Sequence, residues 1–172
     1  MRTAYYSLAA VVVASAAILL QTHPASALAT NVAFAGVVAS GTIVVRTSER
    51  RLYLVLGDGR ALRYVVGVGR AGRQWSGTST IDGKYIRPNW APPDAVRRAQ
   101  PELPAMIPSG APGNPMGAAA MTLAGGEYAI HGTNAPDSIG GFVSYGCIRM
   151  YNTDIADLYA RVGIGTPVQV TP

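Results

Sequence analysis

Short runs of β-branched and aromatic residues, separated by glycine-rich turns, recur along most of this chain. The clearest pair, 51–56 and 61–68, flanks the turn sequence Gly-Asp-Gly-Arg at 57–60. Two such runs around a turn of this composition are typical of a β-hairpin. Other runs of this kind cover 42–46, 75–81, 118–123, 127–131 and 166–170. Most of the chain is therefore predicted to form β-strands.

Two short helices are predicted beside the strands. One begins at Pro93-Asp94, runs to Ala99 and is stopped by Pro101. The other covers 154–162, with apolar residues at the spacing of one helix face, and ends before Gly163. With 172 residues, 49% of them hydrophobic and 13% charged, the chain suits one packed domain and not a disordered polyelectrolyte. The predicted fold class is a single, mainly β domain with short helices.

The N-terminus has the pattern of a secretory signal. Arg2 precedes an almost unbroken apolar run from Leu8 to Leu20, and Ala25-Ser26-Ala27 follows as a small-residue cleavage sequence. An uncleaved membrane anchor is the alternative, but the run is shorter than the roughly 20 residues that span a bilayer. We therefore predict a signal peptide over 1–27, a flexible lead over 28–40 and the folded domain over 41–171.

Thiol chemistry in this chain depends on very few residues. Cys147 is the one cysteine, and signal cleavage would remove His23 and leave His131 as the one histidine. A single cysteine excludes an internal disulfide, and no residues have metal-ligand spacing, so neither a metal nor another cofactor is expected. The residues alone leave two roles open for Cys147, a buried inert thiol or a nucleophile, and His131 could equally be a hydrogen-bonded histidine at a strand end.

His131 and Cys147 lie at the two ends of one glycine-rich loop. A loop of this length can bring its ends together at modest entropic cost. An imidazole within hydrogen-bond reach of a thiol can take its proton, and small residues beside the cysteine leave backbone N–H groups free to stabilise an oxyanion. The arrangement therefore permits nucleophilic catalysis.

Two other segments invite a functional interpretation. Residues 67–72 match the G-x-G-x-x-G pattern by letter, but no helical pattern or later acidic partner follows, so a dinucleotide site is not predicted. Residues 87–115 are rich in proline, and apart from the short predicted helix they form a long loop, which is either a lid or part of a binding cleft, or else a surface excursion without a role.

The residues around the loop resemble a known family. Ile-His-Gly-Thr-Asn at 130–134 and Ser-Tyr-Gly-Cys-Ile-Arg-Met at 144–150, with Asn152 and Asp154, are similar to the signature of the L,D-transpeptidases, the YkuD-type catalytic domain of bacterial cell walls. The similarity extends over about residues 41–170. It implies an L,D-transpeptidase-like β-sandwich and an exported cysteine enzyme.

The resemblance also implies roles for individual residues. Cys147 would be the acylated nucleophile and His131 its base, with the second imidazole nitrogen held by the carbonyl of Gly132. The N–H groups of Tyr145, Gly146 and Cys147 would form the oxyanion hole. The remaining residues expected to shape the substrate site are Ser144, Arg149 and Thr133.

The implied substrate is a tetrapeptide stem of peptidoglycan. Cys147 would attack the carbonyl of its diamino acid and release D-alanine, after which an amine would take the acyl group, for example in 3→3 cross-linking. Carbapenems would act as covalent inhibitors. The protein would be a periplasmic monomer without a stable membrane span after signal cleavage. Nucleic acid is not an expected partner, because the arginines are scattered along the chain.

Two positions depart from the family pattern. Tyr145 stands where a histidine is usual, and Ala119 stands where relatives often carry arginine. Since the base is expected to be His131, Tyr145 is predicted to alter the substrate site and not to abolish activity. The alternative is a non-catalytic or weakly active peptidoglycan-binding module. A basic module that holds anionic wall polymers through its arginines would fit the net charge of +5, but charge alone is not specific.

Overall fold

The structure is a computed structural model that describes residues 29–172. The predicted signal peptide, and the membrane anchor that is its alternative, lie outside the described residues. No helix within residues 29–172 is long and apolar enough to cross a membrane.

Strands are the main regular structure of the described chain, as predicted. Nine of the eleven strands that the structure describes join in one sheet, in the order β1-β4-β3-β2-β11-β6-β7-β8-β10, and β5 pairs with β9. The strands are β1 Thr30–Ala33, β2 Ile43–Arg46, β3 Arg51–Gly57, β4 Arg60–Val65, β5 Val68–Gly69, β6 Gly77–Ile86, β7 Ala119–Leu123, β8 Ala129–His131, β9 Phe142–Ser144, β10 Ile148–Arg149 and β11 Pro167–Thr171.

The predicted hairpin is present as β3 and β4, which pair antiparallel. Asp58 and Gly59 both have positive φ, of 52° and 68°. This is the backbone geometry of the primed turns that match strand twist, and aspartate followed by glycine adopts it most easily. The G-x-G-x-x-G segment follows β4, contains the short strand β5 and leads into strand β6.

Both predicted helices form, together with a 3₁₀ turn at Pro136–Ser138. Helix α1 spans Asp94–Ala99 and helix α2 spans Asn152–Arg161, which begins two residues before the predicted start. Ile155 and Leu158 on α2 are fully buried in the main core. The single lysine, Lys84 on β6, donates hydrogen bonds to the carbonyls of Tyr159 and Val162, at 2.7 and 2.6 Å. These bonds satisfy carbonyls at the C-terminal end of α2 and attach the helix to the sheet.

One hydrophobic core joins the two ends of the sheet. It contains Tyr64 from β4, near one end of the strand order, and Ile148 from β10 at the other end. Gly67, after β4, and Arg149 exchange backbone hydrogen bonds of 2.9 and 2.8 Å. The sheet therefore curls until its ends meet across the core, in a single domain with few short helices.

The flexible lead predicted over 28–40 is partly ordered in the structure. Residues 30–33 form β1, an edge strand that pairs antiparallel with β4. Phe34 is buried against Tyr53, with ring centroids 5.4 Å apart. Small residues alone indicate flexibility, whereas in the structure the edge of β4 and a buried aromatic side chain supply partners for this segment.

The proline-rich segment folds back along the cleft described below. The side-chain amide of Asn114 is buried and donates to the carbonyls of Pro88, Ile107 and Pro108, at 2.9, 3.3 and 3.0 Å. Its Oδ1 accepts the N–H of Met116 at 2.9 Å. One asparagine thus satisfies backbone groups along the whole segment, which is ordered although it has little regular secondary structure.

Candidate active site

Strand alternation directs the chemically active residues toward one cleft. β10 pairs in parallel with β8, placing Ile148 beside Ile130 and Arg149 beside His131. Both isoleucines are buried in the main core. Because successive side chains on a strand point to opposite faces, Cys147 and Arg149 face away from the core on the same side as His131.

The cleft has two arms that meet at Cys147. We call them the histidine arm and the outer arm. The histidine arm is lined by Trp90, Pro93, Ala95, Val96, Pro115, Met116, Glu127, Tyr128, His131, Ser144, Tyr145, Cys147 and Arg149. The outer arm shares part of this lining and adds Tyr85, Pro88, Asn89, Ala91, Ala120, Thr122, Gly126 and Ala129. The proline-rich segment contributes to both arms, which favours its interpretation as part of a binding cleft over a surface excursion.

His131 is held in one tautomer. Its Nδ1 lies 2.6 Å from the carbonyl oxygen of Gly132, and a carbonyl can only accept, so Nδ1 carries the proton and Nε2 has a free lone pair. Burial, together with the positive charge of Arg149, lowers the pKa of His131 to about 4 against the opposing effect of the Gly132 and Pro115 carbonyls. The imidazole is therefore neutral at pH 7 and able to accept a proton.

Cys147 is partly exposed to the cleft. Burial raises the pKa of its thiol, while the backbone of Ala129 and the charge of Arg149 act in the opposite direction. The resting pair is therefore a neutral thiol and a neutral imidazole. Such a pair suits proton transfer during nucleophilic attack and not a preformed thiolate–imidazolium ion pair.

Ser144 shapes the turn that carries the cysteine. Its buried hydroxyl donates to the carbonyl of Cys147 at 2.6 Å and accepts the N–H of Gly146 at 3.0 Å. The Gly146 amide, expected in the oxyanion hole, is thus already bonded. Among residues 29–172, the amides of Tyr145 and Cys147 have no protein acceptor, so two of the three expected donors remain available.

Two aromatic residues that the sequence did not single out hold the same turn. Trp75 donates its indole N–H to the Gly146 carbonyl at 3.0 Å and stacks on Tyr128, with ring centroids 5.1 Å apart. Gly146 has a φ of 127°, and a Cβ there would lie 2.2 Å from the Tyr128 ring. The motif glycine is required because the aromatic pair occupies the space of a side chain. These contacts join distant parts of the chain, so no local pattern indicates them.

Thr133 was expected to contact substrate, but it serves the loop after β8. It is buried and is not part of the cleft lining, and its N–H donates to Asn152 Oδ1 at 3.0 Å. Asn152 Nδ2 donates in return to the Thr133 carbonyl, and Oδ1 also accepts the N–H of Ala118. The first residue of α2 therefore positions the Gly132 carbonyl and, through it, His131. The motif showed Asn152 but not this role.

Arg149 and Glu127 are the two residues with charged side chains that line the cleft, since His131 is neutral. The Nε atom of Arg149 is buried and has no hydrogen-bond partner among residues 29–172.

Ala119, the second departure from the motif, is buried in the core on β7, and its carbonyl accepts the N–H of Gly132 at 2.9 Å. Within the described part of the chain, no three His, Cys, Asp or Glu residues are close enough to hold a metal ion.

The sequence model of the L,D-transpeptidase catalytic domain matches residues 40–170. The chain belongs to the L,D-transpeptidase family. Among relatives of this L,D-transpeptidase domain, the probable L,D-transpeptidase ErfK/SrfK of Escherichia coli (strain K12) is 42% identical over 137 residues, covering 74% of this chain and 43% of the relative. The probable L,D-transpeptidase YbiS of the same strain is 40% identical over 136 residues, with the same coverage. The chain thus spans less than half the length of these relatives.

Solved L,D-transpeptidases share the fold at low sequence identity. An L,D-transpeptidase from Mycobacterium smegmatis aligns with a TM-score of 0.61 at 18% identity, covering 76% of this chain and 58% of that one. An L,D-transpeptidase determined in complex with imipenem aligns with a TM-score of 0.57 at 16% identity, covering 76% and 58%. These neighbours establish the predicted fold for the L,D-transpeptidase domain described here.

Proposed function

We propose that the protein is an exported cysteine L,D-transpeptidase that acts on tetrapeptide stems of peptidoglycan in the periplasm. Family membership supports the reaction class. The observation that supports the residue assignment is that one cleft is lined by Cys147, by the neutral imidazole of His131 and by Tyr145, and that the amides of Tyr145 and Cys147 are unbonded.

In the first step, Cys147 Sγ attacks the carbonyl of the diamino acid while its proton passes to His131 Nε2. The carbonyl oxygen becomes an oxyanion that the amides of Tyr145 and Cys147 stabilise. Collapse breaks the C–N bond to D-alanine, and the imidazolium returns its proton to the leaving amine. The low pKa of His131 makes its protonated form a strong acid, which favours this last transfer. The product is a thioester on Cys147.

The alternative is a non-catalytic or weakly active wall-binding module, suggested by Tyr145 in place of histidine. The geometry favours catalysis, because the base His131 and its partner Gly132 are both present and Tyr145 contributes a backbone amide that any residue supplies.

Incubation with a carbapenem followed by intact mass measurement tests the proposal. We expect one covalent adduct on the wild-type protein, none on Cys147→Ala, and adduct formation slowed by about 100-fold or more in His131→Ala, the range of a lost general base. Circular dichroism of each variant serves as the folding control. An unmodified wild-type protein would favour the binding module. Analysis of muropeptides made by the purified enzyme would identify the acyl acceptor.

A further inference from the structure

The turn after β5 places two arginines beside the active site. The N–H of Arg70 donates to the Ser144 carbonyl at 3.0 Å, and the N–H of Arg73 donates to the Arg70 carbonyl at 2.8 Å. A Cβ on Gly69 would lie 2.3 Å from the carbonyl oxygen of Arg73, so only glycine permits this turn. The glycine-rich segment, for which no dinucleotide site is predicted, therefore fixes a cationic turn against the cysteine motif.

Both arginine side chains lie against the ring of Tyr145. The guanidinium carbon of Arg70 is 4.0 Å from the ring centroid and that of Arg73 is 5.7 Å from it, both within cation–π range. Within residues 29–172, neither guanidinium has a carboxylate at ion-pairing distance. Two exposed positive charges without an acidic partner thus lie against Tyr145, whose ring lines the histidine arm, while the arginines themselves lie outside the lining of both arms.

The second substrate must approach through the same arm. An amine that attacks the thioester has to lose a proton, and the available base is His131. His131 lines the histidine arm and is not part of the lining of the outer arm. The attacking amine therefore reaches the thioester in the arm whose lining includes Tyr145.

We propose that Arg70 and Arg73 bind the carboxylate that the acyl acceptor carries next to its attacking amine, and that these two residues thereby select such acceptors over amidated ones. Guanidinium groups bind carboxylates through paired, charge-assisted hydrogen bonds. A free D-amino acid has this chemistry, and so does the side-chain end of a diamino dicarboxylic acid in a second stem. The inference rests on the proposed function, because it concerns the second step of that reaction.

The transfer step is balanced without a further reactant. The neutral amine of the acceptor attacks the thioester carbonyl, its proton passes to His131 Nε2, and the C–N bond forms as the C–S bond breaks. The Cys147 thiolate then takes the proton from the imidazolium, which restores the resting pair.

This role also gives a physical reason for tyrosine at position 145. The negative face of an aromatic ring attracts guanidinium groups, whereas a protonated histidine would repel them. The phenol ring of Tyr145 is therefore better suited than an imidazole to hold two arginines beside the cleft.

Acceptor competition tests the proposal within each variant. Acyl transfer is measured to D-alanine and to D-alaninamide, and to a diamino acid stem peptide with its side-chain carboxylate free or amidated. In the wild type we expect the carboxylate form to be preferred in at least one pair, and we expect Arg70→Gln/Arg73→Gln to reduce that preference about tenfold. Arg63→Gln, an exposed arginine on β4, is the matched control. The pair that responds identifies the source of the acceptor.

The proposal would be overturned if Arg70→Gln/Arg73→Gln lowered acyl transfer equally to the carboxylate and amide forms of each pair. It would also be overturned if the preference for the carboxylate form were unchanged. Tyr145→Phe is expected to keep the preference and Tyr145→Leu to reduce it, since the ring and not the hydroxyl holds the guanidiniums. Direct titration of Cys147→Ala protein with D-alanine and D-alaninamide, followed by NMR, measures carboxylate binding without turnover. If the wild-type protein formed no carbapenem adduct, the proposed function alone would be refuted. If the Cys147→Ala protein bound the carboxylate and amide forms equally, both for D-alanine and for the stem peptide, the carboxylate site alone would be refuted.

Discussion

At the scale of single residues, burial sets the protonation states of this site. His131 and Cys147 are both kept uncharged, because an isolated charge is costly away from water. The Gly132 carbonyl selects the tautomer that leaves Nε2 as the acceptor. In the proposed mechanism, proton transfer therefore occurs within the attack step, and we expect the pH dependence of acylation to follow from the pKa of His131.

We expect the carbapenem acylation rate to persist well below the ordinary histidine range. Because the pKa of His131 is lowered to about 4, the base stays neutral until the pH approaches that value. Stopped-flow or mass-based acylation rates between pH 4 and 8 would test this, with circular dichroism to confirm folding at each pH. An acid limb centred near pH 6.5 would show that the imidazole is not shielded as described.

Asp154 is a buried carboxylate that destabilises the fold when ionised. It is 1% exposed, its Oδ2 has no partner among residues 29–172, and burial raises its pKa to about 6. Its folded pKa thus lies above the unfolded value, so stability is gained as the pH falls from about 6 toward 4. The lowered pKa of His131 has the opposite effect on folding stability. Its contribution to stability is present above about pH 6.5 and is lost as the pH falls toward 4.

We therefore expect Asp154→Asn to stabilise the protein by about 1–3 kcal/mol at pH 8, where the wild-type carboxylate is ionised and unsatisfied. The gain should shrink toward zero near pH 4. Thermal or urea unfolding at both pH values measures it, and Asp137→Asn, at an exposed position, is the control. A gain of equal size at both pH values would show that charge is not its cause.

At the scale of elements, the site is a set of turns clamped by side chains from elsewhere in the chain. Ser144 bonds the cysteine turn internally, and Trp75 holds it from the segment before β6. Asn152 at the start of α2 holds the loop after β8. Cys147 and His131, the proposed catalytic residues, are therefore positioned by contacts that link separate elements.

Gly146→Ala is expected to damage both stability and acylation. The alanine would have to adopt a φ of 127° and place a methyl group 2.2 Å from the Tyr128 ring. Overpacking of this kind costs about 1–3 kcal/mol, and the turn should shift away from His131. Gly163→Ala is the matched control, since a Cβ there meets nothing within 4 Å. Unfolding and carbapenem acylation are measured on both; wild-type behaviour of Gly146→Ala would contradict the clamped turn.

At the scale of the whole molecule, the edge strand β1 and the strands that carry the candidate site are at opposite ends of the strand order. β1 is the first strand of the sheet, and β8 and β10 are the last two. The family match begins at residue 40, after β1. The edge strand therefore adds to the stability of the domain without contacting the cleft.

Removal of residues 29–36 is expected to lower the melting temperature and to leave carbapenem acylation close to that of the full domain. The deletion removes the pairing with β4 and the buried Phe34, but no residue that lines the cleft. Differential scanning fluorimetry and acylation rates below the melting transition measure the two effects. Acylation lost at a temperature where the variant is folded would show that the edge strand acts on the site.

The amino-acid sequence by itself determined most of the strands, both helices, the β3–β4 hairpin and the position of His131 and Cys147 at the two ends of one loop, because these follow from local periodicity, turn chemistry and a short motif. Tertiary structure decided that residues 30–33 form an edge strand on β4, that the amide of Gly146 is bonded to Ser144, and that Thr133 bonds to Asn152. It also decided the clamp by Trp75 and Tyr128 and the position of Arg70 and Arg73 on Tyr145. Each of these depends on a partner distant in sequence, and only the folded chain brings such partners into contact.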